Sequence, residues 1–84
     1  MSEKDFTLVV MTPEKTLFNG SVSRVMLPGE KAPFVVLHNH APLISSLSGG
    51  LVEWKANGVA GSLAILGGFA DVKDNVVTAC VEPA

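Results

Sequence analysis

Short apolar segments alternate with polar residues over most of this chain, and turn-formers interrupt them every few positions. Phe6, Leu8 and Val10 share one parity with Thr7 on the other, which predicts a strand with one buried face. Val52, Trp54 and Ala56 alternate with Glu53 and Lys55, a half-buried strand with a wet outer side. The run 63–66 is apolar at every position and predicts a strand buried on both faces. Residues 76–81 supply a last strand, with Cys80 as a small core residue. Turn signals stand at Asn19-Gly20, Pro28-Gly29, Asn39 with Pro42 nearby, Gly49-Gly50, Asn57-Gly58, Gly67-Gly68 and Asp74-Asn75. Asn57-Gly58 suits a tight hairpin, because both positions tolerate positive φ. Gly67-Gly68 is expected to be a turn or a close approach between backbones.

The segment 22–27 departs from strict alternation. A period of two would put Arg24 on the face of Val22 and Met26, so a β-bulge near Ser23-Arg24 is expected to reset the register. No stretch of a dozen residues combines a helical stripe with freedom from Gly and Pro, and the best helix candidate, 41–47, is short and contains Pro42. Many short strands in one small protein must fold into two packed sheets. The predicted class is therefore all-β, a two-sheet β-sandwich or flattened barrel of about ten short strands, in a single domain spanning 1–84.

Composition narrows the functions. The 84 residues are 48% apolar and 17% charged, with a formal net charge of −2. The six Lys and Arg are scattered, which argues against charge-driven binding to nucleic acid or an anionic membrane. The lone Cys80 suits a reducing compartment. Residues 1–10 lack the pattern of a secretory signal, and no apolar run is long enough to span a bilayer. Met1 is read as an intact start.

The stretch 28–47 carries the candidate chemistry: two histidines, three prolines and the pair Glu30-Lys31 in an apolar background. On a strand His38 and His40 would share a face and reach one metal ion, as in cupin-like sandwiches. The next carboxylate after them is Glu53, and there is no third histidine. No serine sits in a nucleophile elbow, and Gly67-Gly68 is not followed by the residues of a phosphate loop. No cofactor, metal or catalytic group is expected. A cupin-like metal-binding β-sandwich using His38 and His40 stands as the alternative reading. The leading one is a contact surface built from loops at 28–33 and 39–42.

Four motifs, in order, carry a family resemblance: V-x-T-P-E-K-x-x-F-x-G at 10–20, V-x-x-V-x-L-P-G at 22–29, H-A-P-L-I at 40–44 and G-G-F-A-D-V at 67–72. The sequence resembles the N-terminal β-sandwich of the epsilon subunit of rotary F-type ATP synthases, called delta in mitochondria. The resemblance implies two five-stranded sheets and a non-catalytic place in the central stalk. There the domain would couple the proton-driven c-ring to the gamma shaft, peripheral to the cytoplasmic face of a bacterial inner membrane. It implies gamma contacts through Thr12, His40, Ala41, Pro42 and Ser45, and c-ring contacts through Glu30, Lys31, Ala32 and Pro33.

Two departures from the family pattern stand out. Pro33 and Val35 replace an acidic residue and a glycine, so a carboxylate contact there is lost or moves to Glu30. His38-Asn39 replaces a Pro-Gly, with Asn39 expected to take the left-handed conformation in its place. The sequence ends at Ala84, where many family members continue into a helical hairpin that inhibits ATP hydrolysis and in some binds ATP. Neither property is assigned to these residues.

Overall fold

The computed structural model describes residues 4–84, and the reading of Met1 as an intact start lies outside them. Eight strands and no helix appear among the described residues: β1 Phe6–Met11, β2 Thr16–Val22, β3 Arg24–Leu27, β4 Phe34–Val36, β5 Leu43–Leu47, β6 Gly50–Ala56, β7 Val59–Lys73 and β8 Val76–Pro83. The all-β expectation holds, with eight strands where about ten were expected. The count falls because two expected turns do not end strands: Asn19-Gly20 lies inside β2, and Gly67-Gly68 lies inside β7, which runs unbroken for 15 residues.

One long hairpin organises the rest. Asn57 and Gly58 both have positive φ, 51° and 76°, as the two-residue turn requires. From that tip, Ala56 faces Val59 and Gly50 faces Ile65. Beyond the break at Ser48-Gly49, Leu47 faces Gly68 and Leu43 faces Val72. No residue is gained or lost across the break, so β5 and β6 form one bent arm against β7. The bend divides the hairpin between two layers. The β6 half of the arm lies with β3, β4 and the first half of β7, while the β5 half lies with β8, β1, β2 and the second half of β7.

Two features of β7 produce the corner. The β8 pairing skips Leu66, which is left exposed as a bulge between Ile65 and Gly67. Gly68 then takes φ 148°, and a Cβ there would run into the Cys80 carbonyl oxygen. Of the two expectations for Gly67-Gly68, the close backbone approach is the one realised. The β3 side turns the same corner by a shorter path. Its register with β6 would set Gly29 opposite Gly50, yet Gly29 bridges to Leu47.

Alternation places one core between the layers. Phe6, Leu8 and Val10 of β1 and Val77, Ala79 and Val81 of β8 share the inner side, with Leu8 beside Val77 and Val10 beside Ala79, and are joined by Val22, Val25, Leu27, Val36, Leu47, Val52, Ile65, Ala70 and Val72. Full burial of one such aliphatic residue contributes about 1.5–3 kcal/mol. Phe18 of β2 and Trp54 of β6 meet across the layers with ring centroids 4.7 Å apart. The indole lies over Gly61, its cross-strand partner, where any Cβ would collide with it.

Four local expectations are corrected. Asn19-Gly20 is no turn but part of β2, opposite Val9 and Leu8; pairing with β1 overrides the local preference. Ser23 is a bend between β2 and β3 rather than a bulge within one ladder, and Arg24 pairs regularly with Lys55. There the backbone passes from one layer to the other, which is why Val22, Val25 and Leu27 can all be buried. The run 63–66 alternates instead of being buried throughout, because only one side of β7 meets the core: Ile65 is inside and Leu66 is outside. Cys80 is half-buried on the outer face, since Ala79 and Val81 take the inner positions.

The corner makes a direct prediction. Gly68→Ala combines a strained φ with a backbone collision, so it is expected to destabilise the fold by about 2–4 kcal/mol. Urea unfolding of both proteins checks this; a midpoint unchanged from the parent would mean the close approach is not required.

Candidate contact loops and outer face

The proposed contact residues fall at two ends of the sandwich. The loop between β3 and β4 lies at the corner end. Its root is buried and tethered: Ser48 N–H donates to the Pro28 carbonyl at 2.8 Å, and Glu30 N–H donates to the Ser46 carbonyl at 3.0 Å. Pro28 and Gly29 are buried, while Glu30, Lys31, Ala32 and Pro33 are exposed. This loop therefore meets the outer edge of β5 at Ser46 and Leu47 and presents an exposed tip. The tip and Ser45 line one groove, with Phe34, Leu43 and Ile44 as its apolar wall.

His40, Ala41 and Pro42 stand at the opposite end, beside the β7–β8 turn. Asn39 has φ 61°, the left-handed conformation expected of it. His40 N–H closes the turn on the Leu37 carbonyl at 3.2 Å. Two hydrogen bonds clamp this turn to the next one: Asn39 N–H donates to Asn75 Oδ1 at 2.7 Å, and Asn75 Nδ2 donates to Asn39 Oδ1 at 2.9 Å. His40 Nδ1 lies 2.7 Å from the Ala41 carbonyl oxygen. A carbonyl can only accept, so that nitrogen carries the proton, and in the neutral ring Nε2 is the acceptor.

His38 and His40 thus flank a left-handed turn rather than occupying one strand. The shared-face geometry behind the metal alternative is absent. Among the described residues, no group of three or more His, Cys, Asp or Glu side chains is placed to hold a metal ion.

Thr12 sits away from His40, after the last residue of β1 at the corner end. It is only 6% exposed. Its hydroxyl accepts from Glu14 N–H at 3.2 Å and Lys15 N–H at 3.1 Å, and its own N–H donates to the Lys15 carbonyl at 2.8 Å. The side chain organises the Thr12–Lys15 turn and offers little surface. Exposed Pro13 and Glu14 form the surface there. Ser45 is half-buried, and its hydroxyl donates to the Ser46 carbonyl at 3.0 Å.

Between the two ends the outer face carries exposed apolar residues set among the exposed polar Ser46 and Asp71. Ile44 is 77% exposed and Phe69 is 53% exposed. They are diagonal neighbours, since Ile44 faces Asp71 and Ser46 faces Phe69. The row continues through Cys80, which faces Phe69, to Met11, which pairs with Cys80. Sequence reading missed this face. Its signal was present in parity: Leu43 and Leu47 bracket an outward Ile44, and Ala70 and Val72 leave Phe69 outward.

A family model described as the ATP synthase, Delta/Epsilon chain, beta-sandwich domain matches residues 5–84. An ATP synthase epsilon chain from Pelotomaculum thermopropionicum is 38% identical over 84 residues, a match spanning 100% of this protein and 63% of that one. One from Desulfitobacterium hafniense is 40% identical over 79 residues, spanning 94% of this protein and 60% of that one. The sequence therefore spans somewhat less than two thirds of the length of these curated relatives. The Euglena gracilis mitochondrial ATP synthase contains a subunit domain with the same fold, at TM-score 0.85 and 22% identity, over 92% of this protein and 50% of that polypeptide. The Tetrahymena thermophila mitochondrial ATP synthase central stalk and c-ring structure contains another, at TM-score 0.76 and 22% identity, over 90% and 62%. Fold, motifs and sequence agree, and the chain belongs to the ATP synthase delta/epsilon family, of which it comprises the β-sandwich domain.

Proposed function

We propose that this domain is a non-catalytic part of the central stalk of a proton-translocating ATP synthase, joining the gamma subunit to the c-ring. The family match over residues 5–84 carries this reading. In it, residues 1–84 act as one domain, peripheral to the cytoplasmic face of a bacterial inner membrane through the complex. The relatives named ATP synthase epsilon chain support the assignment.

The surface supports a mechanical role. A coupling element must transmit torque without yielding, so its contacts need ordered backbone rather than reactive groups. Both contact loops are anchored at their roots by backbone or amide hydrogen bonds to neighbouring elements, which limits the conformational entropy lost when a partner binds. Gamma is assigned His40, Ala41, Pro42 and Ser45, with the Thr12 turn and the outer face of Ile44 and Phe69 between them. The c-ring is assigned Glu30, Lys31, Ala32 and Pro33. Glu30 and Lys31 there serve partner selection and register, as rim charges do. The acidic contact absent at Pro33 passes to Glu30 in this scheme.

Two outcomes test the proposal. The purified protein is expected to bind the gamma subunit of its own complex and to hydrolyse no ATP by itself; a folded domain with no affinity for gamma would remove the stalk assignment. Ala41→Arg and Ile44→Arg, each introducing a charge into the assigned surface, are expected to weaken gamma binding by at least about 30-fold while leaving the urea midpoint near that of the parent. Titration calorimetry measures the affinity. Normal binding by both variants would show that gamma docks elsewhere.

A further inference from the structure

Two Asn-Gly dipeptides occur in the sequence, Asn19-Gly20 and Asn57-Gly58, and the fold treats them differently. We infer that Asn57 is a site of spontaneous covalent modification, through deamidation to aspartate and isoaspartate, while Asn19 is protected. In the reaction, the Gly58 backbone nitrogen attacks Asn57 Cγ and forms a five-membered imide. The bond between Asn57 Cγ and Nδ2 breaks, and ammonia leaves with the proton from the Gly58 nitrogen. Water then opens the ring at either carbonyl, giving aspartate or isoaspartate. The net change is addition of one water and loss of one ammonia.

Two observations separate the sites. The first is space. Both asparagines are exposed, so the contrast lies in the glycine that attacks: Gly58 is exposed, and nothing lies within 4 Å of the position a Cβ would take on it, whereas Gly20 is half-buried. At Gly20 the Phe18 ring lies over the backbone, 3.0 Å from the corresponding position. That ring is itself packed on Trp54.

The second is the cost of reaching the reactive geometry. Ring closure needs the backbone nitrogen to swing towards Cγ, so the local conformation must open first. At Asn57 only the terminal rung, Ala56 opposite Val59, stands next to the turn. Such hairpin tips open at small local cost. Asn19 lies mid-strand in β2, with Leu8–Gly20 and Ser21–Thr7 rungs on one side and Val10–Phe18 on the other. Opening there separates β2 from β1 and lifts Phe18 out of its contact.

The product also differs by position. Aspartate tolerates the φ of 51° at residue 57 and retains the turn. Isoaspartate inserts a methylene into the backbone and breaks the two-residue turn. Either product adds a negative charge to a protein whose formal net charge is already −2.

The test is to age the folded protein in mildly alkaline buffer, digest it with trypsin and follow two peptides by mass spectrometry. Peptide 56–73 holds Asn57 as its one asparagine, and peptide 16–24 holds Asn19 as its one asparagine. In the folded protein, peptide 56–73 is expected to gain the mass of deamidation at least about tenfold faster than 16–24, and to split into two chromatographic forms. In concentrated urea the two rates are expected to converge, since both sites are Asn-Gly. Equal rates in the folded protein, faster change in 16–24, or no change in 56–73 would each overturn the inference. So would a rate difference that persists undiminished in urea.

Discussion

The structure depends on the unbroken register between the β5–β6 arm and β7. From the tip at Asn57-Gly58 to the pair Leu43–Val72, every inward position on one arm meets an inward position on the other. Because side chains alternate with a period of two, that register decides which residues of three strands enter the core. The arm must bend once to bring its two halves face to face, and it does so where Leu66 bulges and Gly68 lies against the Cys80 carbonyl. The remaining strands add to this frame: β3 and β4 extend the β6 layer, and β8, β1 and β2 extend the other.

The same frame explains how the candidate contact loops are anchored. The β3–β4 loop is held because β3 follows the hairpin around its corner and its extension pairs with the edge of β5. The Asn39 turn is held because the opposite end of β5 delivers it beside the β7–β8 turn, where Asn75 answers it amide for amide. The same contact at Ser46 and Leu47 interrupts the free edge of β5, which would otherwise invite strand addition along its whole length. Anchoring of the loops and interruption of an edge are thus two results of one arrangement.

Local signals were legible in the sequence, and pairings between distant strands were not. The parity of Phe6, Leu8 and Val10 and the tip at Asn57-Gly58 depend on neighbouring residues alone, and both were read correctly. Asn19-Gly20 carries the same turn signal as Asn57-Gly58, yet the first is extended because β1 lies beside it. About ten strands are expected where eight form because Asn19-Gly20 inside β2 and Gly67-Gly68 inside the long bent β7 both look, from sequence, like gaps between strands. Ser23 disturbed the alternation as expected, but only the layer assignment of β2 and β3 reveals a crossing rather than a bulge. The left-handed Asn39 was foreseen from its residue type. The burial of Thr12 is not legible in its residue type, because it follows from a hydroxyl engaged with its own turn. Parity alone turns Ile44 and Phe69 outward, but their adjacency follows only once β5 is set beside the second half of β7.

The constancy of the pairing along β7 has a meaning for how such a domain changes over evolutionary time. A single residue inserted into either arm between Leu43 and Lys73 would invert the facing of everything between the insertion and the tip, carrying Val52 or Ile65 into water. Length changes along this hairpin therefore need a matched change on the other arm, a bulge that absorbs the extra residue, or a place at the Asn57-Gly58 tip. Drift in length has far more freedom in the exposed segment 30–33, where an added residue lengthens a loop and disturbs no rung.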